Sequence, residues 1–189
     1  MHRFHQTVLI GSAILGSWLA MQAVHELGHV VGAWWTGGEV VRVVLHPLTI
    51  SRTDLASNPR PLLVVWAGPV IGVMVPAMLW VVAVAARMSG AFLLRFFLGF
   101  CMIANGVYIA FGSIDRIGDS GEMLRHGSEP WQLWTFGAVT APLGLWIWHG
   151  LGPSFGLGPC KGKVDSSVAY LSAVLCLLLL VLEYVFGAP

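Results

Sequence analysis

The stretch VLIGSAILGSWLAMQAVHELGHVVGAWW, residues 8–35, decides the fold of this chain. It is long enough and apolar enough to cross a bilayer as one helix, for which about 20 apolar residues suffice. Inside it lies the motif HELGH, residues 25–29. Ionisable side chains are costly within a bilayer and usually mark function. The stretch therefore predicts a membrane helix that carries a functional site.

The spacing within this motif indicates metal chemistry. His25 and His29 are four residues apart, so both imidazoles lie on one helical face and can bind a single Zn²⁺. Glu26 follows the first histidine, where its carboxylate can act as a general base towards an attacking water. We therefore predict that His25 and His29 are metal ligands and that Glu26 is catalytic.

The composition extends the membrane prediction to the whole chain. Hydrophobic residues make up 57% of the 189 residues and charged residues only 10%, whereas soluble domains carry about 25% charged residues. We expect one transmembrane domain over residues 1–189, located as a multi-pass integral membrane protein. The net charge of +1 argues against nucleic-acid binding. The expected partners are the lipid bilayer and a membrane-protein or peptide substrate.

Five apolar segments predict an all-α polytopic membrane protein with about five transmembrane helices. A cleaved signal peptide is the alternative for the first segment, but the apolar run continues through Trp35 and favours a retained span. Lysine and arginine are divided evenly between the two predicted sides, so the positive-inside rule assigns no orientation. The segments are about Val8–Trp35, Pro61–Ala86, Ala91–Gly112, Trp131–Gly150 and Ser167–Phe186.

Two connections are more than tight turns. Residues 39–52 are rich in β-branched side chains, which favours a short strand or hairpin after the first helix. A surface loop that dips into the lipid headgroups fits the same composition. Residues 113–130 form the most charged stretch of the chain. Because a catalytic zinc normally takes three protein ligands, we expect the third one from this second connection.

These features together resemble the site-2 protease family of intramembrane zinc metalloproteases. The HELGH motif lies in a first span and precedes a β-prone loop, as in that family. The segment WAGP, residues 66–69, resembles the family's Ala-Gly-Pro signature, and DSGEML, residues 119–124, resembles its Asp-Gly-Gly-x-x-Leu motif. The resemblance covers about residues 20–127. It implies a catalytic core over about residues 8–127, followed by two further helices over about residues 131–187.

The resemblance also implies roles for individual residues. Asp119 corresponds to the family's third zinc ligand, and Asn105 to an asparagine that steadies the substrate or transition-state carbonyl. Asp115 lies closer to the family's usual distance from that asparagine and stays an alternative third ligand. Small residues follow Asp119, whereas the bulky Arg116 follows Asp115, which favours Asp119. The chain departs from the family at Tyr108, where a proline is usual, and at the serine after Asp119.

The sequence thus predicts an intramembrane zinc metalloprotease that hydrolyses a peptide bond in or near a transmembrane segment of another membrane protein. Hydrolysis needs water, so its site must line a wet cavity, and the β-prone loop can hold an unwound substrate by β-augmentation. One alternative is a catalytically silent zinc-binding membrane scaffold or chaperone, against which the intact Glu26 argues. Another is a gluzincin-type membrane protease, with Glu122 or Glu129 as its third ligand.

Overall fold

The computed structural model describes residues 2–187, which form a bundle of α-helices with one small sheet. The sheet lies between the first two helices in the chain. A Gly/Pro-rich connection with two short 3₁₀ turns precedes the last helix. The elements are α1 (His2–Thr36), β1 (Glu39–Val44), β2 (Arg52–Ser57), α2 (Pro61–Ala85), α3 (Ala91–Asp115), α4 (Gly118–Arg125), α5 (Pro130–Trp148) and α6 (Ser166–Phe186).

Four helices, α1, α2, α3 and α6, are long and apolar enough to cross a membrane. The predicted number of about five is therefore not reached. The fourth predicted span does form a helix, α5, but it is not among these four. α5 nevertheless runs antiparallel along α3. Trp134 Nε1 donates to Ser113 Oγ (2.9 Å) near one end, and Trp148 Nε1 donates to the Phe96 carbonyl (2.8 Å) near the other.

The helix directions follow from close contacts between small residues. α1 and α6 run parallel, because Ser12 Oγ donates to Ser172 Oγ (2.8 Å) and, further along both helices, Gly16 faces Cys176. Small residues let two backbones approach closely, as is common between membrane helices. α1, α3 and α6 run in one direction, and α2 and α5 run in the other. α5 therefore covers the same height of the bundle as α3.

The bundle carries apolar side chains on its outside and polar ones inside. Leu177 on α6 and Val82 on α2 are 61% and 62% exposed. In contrast, Glu26 on α1 is only 3% exposed, and Asn105 on α3 is 1% exposed. Soluble proteins rarely expose large contiguous apolar surfaces. This distribution is consistent with helices that face lipid.

A β-hairpin follows α1, as predicted. β1 and β2 pair antiparallel, and the second strand extends beyond the predicted residues 39–52 to Ser57. Arg42 Nε donates to Asp54 Oδ2 across the hairpin (2.6 Å), and this bond lowers the pKa of the Asp54 carboxyl. At the end of β1, the Leu45 N–H donates to the Gly187 carbonyl (3.3 Å). The hairpin is thereby attached to the end of α6.

Candidate metal centre

A cavity of about 620 Å³ opens between α1, α3, α4 and the hairpin. This volume is within the range of pockets that bind ligands, which is about 300–1,000 Å³. The HELGH motif contributes to its wall, and so do residues of the hairpin. Its polar lining residues include Gln22, His25, Glu26, His29, Thr49, Ser51, Arg52, Thr53, Asn58, Asn105, Tyr108, Asp119, Glu122 and His126.

Three potential metal ligands converge at the wall of this cavity. His25 Nε2 lies 2.7 Å from Asp119 Oδ2, and His29 Nε2 lies 3.4 Å from the same oxygen. The two Nε2 atoms are 3.2 Å apart. His25 and His29 are buried, and Asp119 is partly buried. These three residues form a group that could hold a metal ion.

The outer nitrogens of both imidazoles are held by acceptors. Asn105 Nδ2 donates to the Cys101 carbonyl (2.9 Å), so the amide oxygen Oδ1 faces His25 Nδ1 at 2.7 Å. His29 Nδ1 lies 2.9 Å from the Val64 carbonyl. Each Nδ1 therefore carries a hydrogen and donates it, and each Nε2 faces Asp119, where it can share a proton with the carboxylate or bind a metal ion. Such hydrogen bonds on the far side of the ring are typical of histidines that bind metals.

The spacing of these atoms suits zinc. Tetrahedral bonds of about 2.0–2.2 Å place neighbouring ligand atoms roughly 3.3–3.6 Å apart. Two of the three separations, 3.2 Å and 3.4 Å, are close to that range, and the third is 2.7 Å. A shift of roughly half an ångström by Asp119 would open the third separation. Two imidazoles and one carboxylate leave the fourth position of a catalytic zinc open.

The charged connection after α3 contains a helix that brings Asp119 to the histidines. Arg116 has a left-handed conformation (φ 54°) at the end of α3, and α4 begins two residues later. Ser120 Oγ donates to the Ile109 carbonyl (3.0 Å), which attaches the start of α4 to α3. Burial raises the pKa of Asp119, but the hydrogen bonds from His25 and His29 outweigh it, so the pKa lies below its ordinary value. The carboxylate is ionised at neutral pH.

Asp115, the alternative third ligand, lies elsewhere. It is the last residue of α3 and is exposed, and it does not belong to the group formed with His25 and His29. Asp119 instead lies at the start of α4. Ile117 is the N-cap of α4, and Asp119 lies in its first turn, where a negative charge still favours the helix dipole.

Glu26 faces the cavity beside the three converging groups. Thr53 Oγ1 on β2 donates to Glu26 Oε2 (2.7 Å). The other carboxylate oxygen, Oε1, has no hydrogen-bond partner within residues 2–187. One oxygen is therefore fixed by the hairpin, and the other is available to accept a proton. The sequence did not indicate this role of Thr53, because pairing in the hairpin determines it.

Glycines bring α1 and α2 together at the histidines. A Cβ added to Gly28 would lie 2.7 Å from the Gly68 Cα and would also overlap the Ala67 carbonyl. A Cβ added to Gly68 would lie 2.5 Å from His29 Nε2 and 3.0 Å from His25 Nε2. At Gly68 the backbone of the WAGP segment therefore lies directly against both imidazoles.

The other sequence-predicted residues occupy different positions. Asn105 borders the cavity but is 1% exposed, and its amide oxygen lies 2.7 Å from His25 Nδ1. Glu122 lines the cavity, but its carboxylate is paired with Arg125 and His126. Glu129 is exposed and caps the start of α5. Neither glutamate belongs to the converging group, so no contact favours the gluzincin arrangement.

Comparisons of the chain with protein-family models, with curated proteins and with solved structures give no match.

Proposed function

We propose that this chain is a multi-pass integral membrane zinc metalloprotease, similar to the site-2 protease family. Its substrate is a peptide bond in or near a transmembrane segment of another membrane protein. The observation that carries this proposal is the convergence of His25, His29 and Asp119 beside Glu26 in one cavity. Three ligands of this kind and an adjacent carboxylate are the composition of a hydrolytic zinc site.

The proposed mechanism assigns each group a separate task. His25, His29 and Asp119 would hold the zinc, which supplies a Lewis acid that polarises a carbonyl and makes water more acidic. Glu26 takes a proton from the attacking water while the water oxygen bonds to the scissile carbonyl carbon. When the carbon–nitrogen bond breaks, Glu26 gives that proton to the leaving nitrogen. The products are a carboxylate and a protonated amine, because the second proton of the water passes from the new carboxyl group to the amine.

The hairpin offers an edge to which an extended substrate segment can bind. A sheet of two strands leaves the outer edge of each strand unpaired, and several residues of β2 line the cavity. An unwound segment can add to such an edge through main-chain hydrogen bonds. Thr53 lies on β2 and donates to Glu26, so a segment bound there would lie near the proposed base.

The Glu26→Gln variant tests the proposal. The amide is nearly isosteric but cannot take a proton at neutral pH. We expect uncleaved membrane proteins to accumulate in cells that carry this variant, with zinc content of the purified protein unchanged. Loss of a general base typically lowers the rate by about 10²–10⁴-fold.

Glu122→Gln is the matched control, because it removes another carboxylate that lines the same cavity. It should leave both cleavage and zinc content as in the wild type. If quantitative proteomics of the membranes finds no difference between wild type and Glu26→Gln, the protease proposal is wrong. Zinc loss in Glu122→Gln would instead favour the gluzincin arrangement.

A further inference from the structure

Hydrolysis of a peptide bond places negative charge on the carbonyl oxygen, and hydrogen-bond donors are needed to stabilise it. The Asn105 side chain already makes two hydrogen bonds within the protein. Its oxygen faces His25 Nδ1 and its amide nitrogen donates to the Cys101 carbonyl. On the α2 side, a Cβ added to Gly72 would lie 3.1 Å from Asn105 Nδ2. With 1% of its surface exposed, Asn105 presents almost none of its amide to the cavity.

Three other side-chain donors of the cavity are also engaged. Thr53 Oγ1 donates to Glu26, and Thr49 Oγ1 donates to the His46 carbonyl (3.1 Å). Arg52 Nε donates to Asp54 (3.2 Å). Gln22, Ser51 and Asn58 also line the cavity, but within residues 2–187 no hydrogen bond holds them beside the proposed ligands. The donor sought for the carbonyl oxygen is a side chain that is free to donate and is held next to those ligands.

Tyr108 meets this requirement. Its ring lies edge-on to the His25 ring, with centroids 6.0 Å apart, and the residue lines the cavity and is 41% exposed. Its hydroxyl oxygen accepts the Asp119 N–H at 3.0 Å. Within residues 2–187 the hydroxyl donates to no acceptor. The oxygen is thus fixed beside the third ligand, and its hydrogen is free.

Gly118 provides the space that the phenol needs. It has a left-handed conformation (φ +53°), and a Cβ added there would overlap the Tyr108 hydroxyl. Any other residue at this position would be strained and would displace the phenol from Asp119. The turn between α3 and α4 therefore holds the hydroxyl in a fixed position, and a fixed donor needs no reorganisation during the reaction.

We propose that Tyr108 is a catalytic residue whose hydroxyl donates a hydrogen bond to the scissile carbonyl oxygen as that oxygen becomes negative. This inference rests on the proposed protease function. As the water oxygen bonds to the carbonyl carbon, the carbonyl π pair moves onto the oxygen that faces Tyr108. The phenol keeps its proton throughout. When the carbon–nitrogen bond breaks, the pair returns to re-form the carbonyl.

The test compares Tyr108→Phe with Tyr170→Phe in the purified full chain. Tyr170 is a matched control because its hydroxyl contacts His5, far along α1 from the histidine motif. The substrate is a quenched-fluorescence peptide of about 20 apolar residues, broken at its centre by Gly-Pro. Two inhibitors with the same side chains complete the test. A phosphinic peptide imitates the tetrahedral oxygen, and a mercaptoacetyl peptide binds the metal through sulfur alone.

We expect Tyr108→Phe to lower kcat by about 10²–10³-fold, the usual effect of removing one such donor. Affinity for the phosphinic peptide should fall by a similar factor. KM, zinc content and affinity for the mercaptoacetyl peptide should stay within about twofold, because these do not depend on the developing charge. Tyr170→Phe should match the wild type in every measurement.

Two results would overturn the inference while leaving the protease proposal intact. One is a Tyr108→Phe variant that keeps its full kcat. The other is equal weakening of both inhibitors or loss of zinc, which would mean that Tyr108 only positions Asp119 through its N–H. If the wild type binds zinc but cleaves the peptide no faster than Glu26→Gln does, the protease proposal itself fails and this inference fails with it.

Discussion

The bundle buries carboxylates in two regions that differ in their surroundings. In the metal centre, Asp119 lies beside two imidazoles, and Glu26 accepts a hydrogen bond from Thr53. Glu183 on α6 is 5% exposed, and neither of its carboxylate oxygens has a hydrogen-bond partner in the part of the chain that the structure describes. Burial of an acid therefore does not by itself indicate a site. A site is indicated when the buried acid lies beside groups that can bind a metal or share a proton with it, as the imidazoles do beside Asp119.

The local sequences explain this difference. Around the histidines, Gly28 and Gly68 remove side chains, so backbone groups such as the Val64 carbonyl come within reach of the imidazoles. Glu183 instead follows the run LCLLLLVL, residues 175–182, which supplies no side-chain donor. A buried polar group without a partner costs about 1–3 kcal/mol. The first region has the composition of a binding site, and we expect the second to destabilise the bundle.

The largest expected effect breaks the metal centre. His25→Ala and His29→Ala should each lower the zinc content from about one ion per chain to near zero, because a catalytic zinc rarely keeps fewer than three protein ligands. Metal analysis of the purified protein measures this. His126→Ala is the control, since His126 lines the same cavity outside the converging group. Full zinc retention in the His25/His29 double variant would contradict the assignment.

A smaller effect separates the two candidate third ligands. Asp119→Ala should weaken zinc binding by more than about 100-fold, beyond the 10–100-fold range typical of residues that only orient a ligand. Asp115→Ala should change the affinity little, because Asp115 is exposed at the end of α3. Competition with a fluorescent chelator gives both affinities. If only the Asp115 variant loses affinity, the third ligand is wrongly assigned.

The smallest effect concerns the unpartnered acid. Glu183→Leu should raise the free energy of unfolding by about 1–3 kcal/mol, because it removes a buried group that lacks hydrogen bonds. Thermal unfolding in detergent should show a Tm higher by a few degrees. Zinc content should stay unchanged. A lower Tm for Glu183→Leu would mean that the carboxylate has a stabilising partner after all, and the contrast between the two regions would disappear.

The helical architecture and much of the candidate site were predictable from the sequence. The long apolar segments of the sequence predicted the positions of α1, α2, α3 and α6. The β-branched residues after α1 predicted the hairpin. The i, i+4 histidines share a face because helix geometry is regular. The sequence also predicted a membrane span over α5, which is not among the four apolar helices. The small residues after Asp119 indicated which acid approaches the histidines, since they let α4 start against α3.

The contacts that depend on how helices rotate against each other could not be predicted. The role of Asn105 towards a substrate carbonyl stays a prediction, and the rotation of α3 adds a contact that the sequence did not indicate, between its amide oxygen and His25. The same rotation brings Tyr108 to the cavity, at a position where the family resemblance suggested only a departure. Thr53 reaches Glu26 through the register of the hairpin. Tertiary packing determines all three positions, and no local pattern in the sequence encodes it.

The glycine contact between α1 and α2 also has a mechanical consequence. Backbone atoms have no rotamers, so no side chain at Gly28 or Gly68 can rotate to change the distance between these two helices. Bilayers of different thickness change the tilt of membrane helices. Two helices in backbone contact are expected to tilt together as one rigid unit. The two imidazoles then keep their positions relative to both helices. The hairpin contacts Glu26 through one hydrogen bond from Thr53 and the end of α6 through the Leu45 N–H, so side-chain and single main-chain bonds hold it where backbone packing holds the two helices.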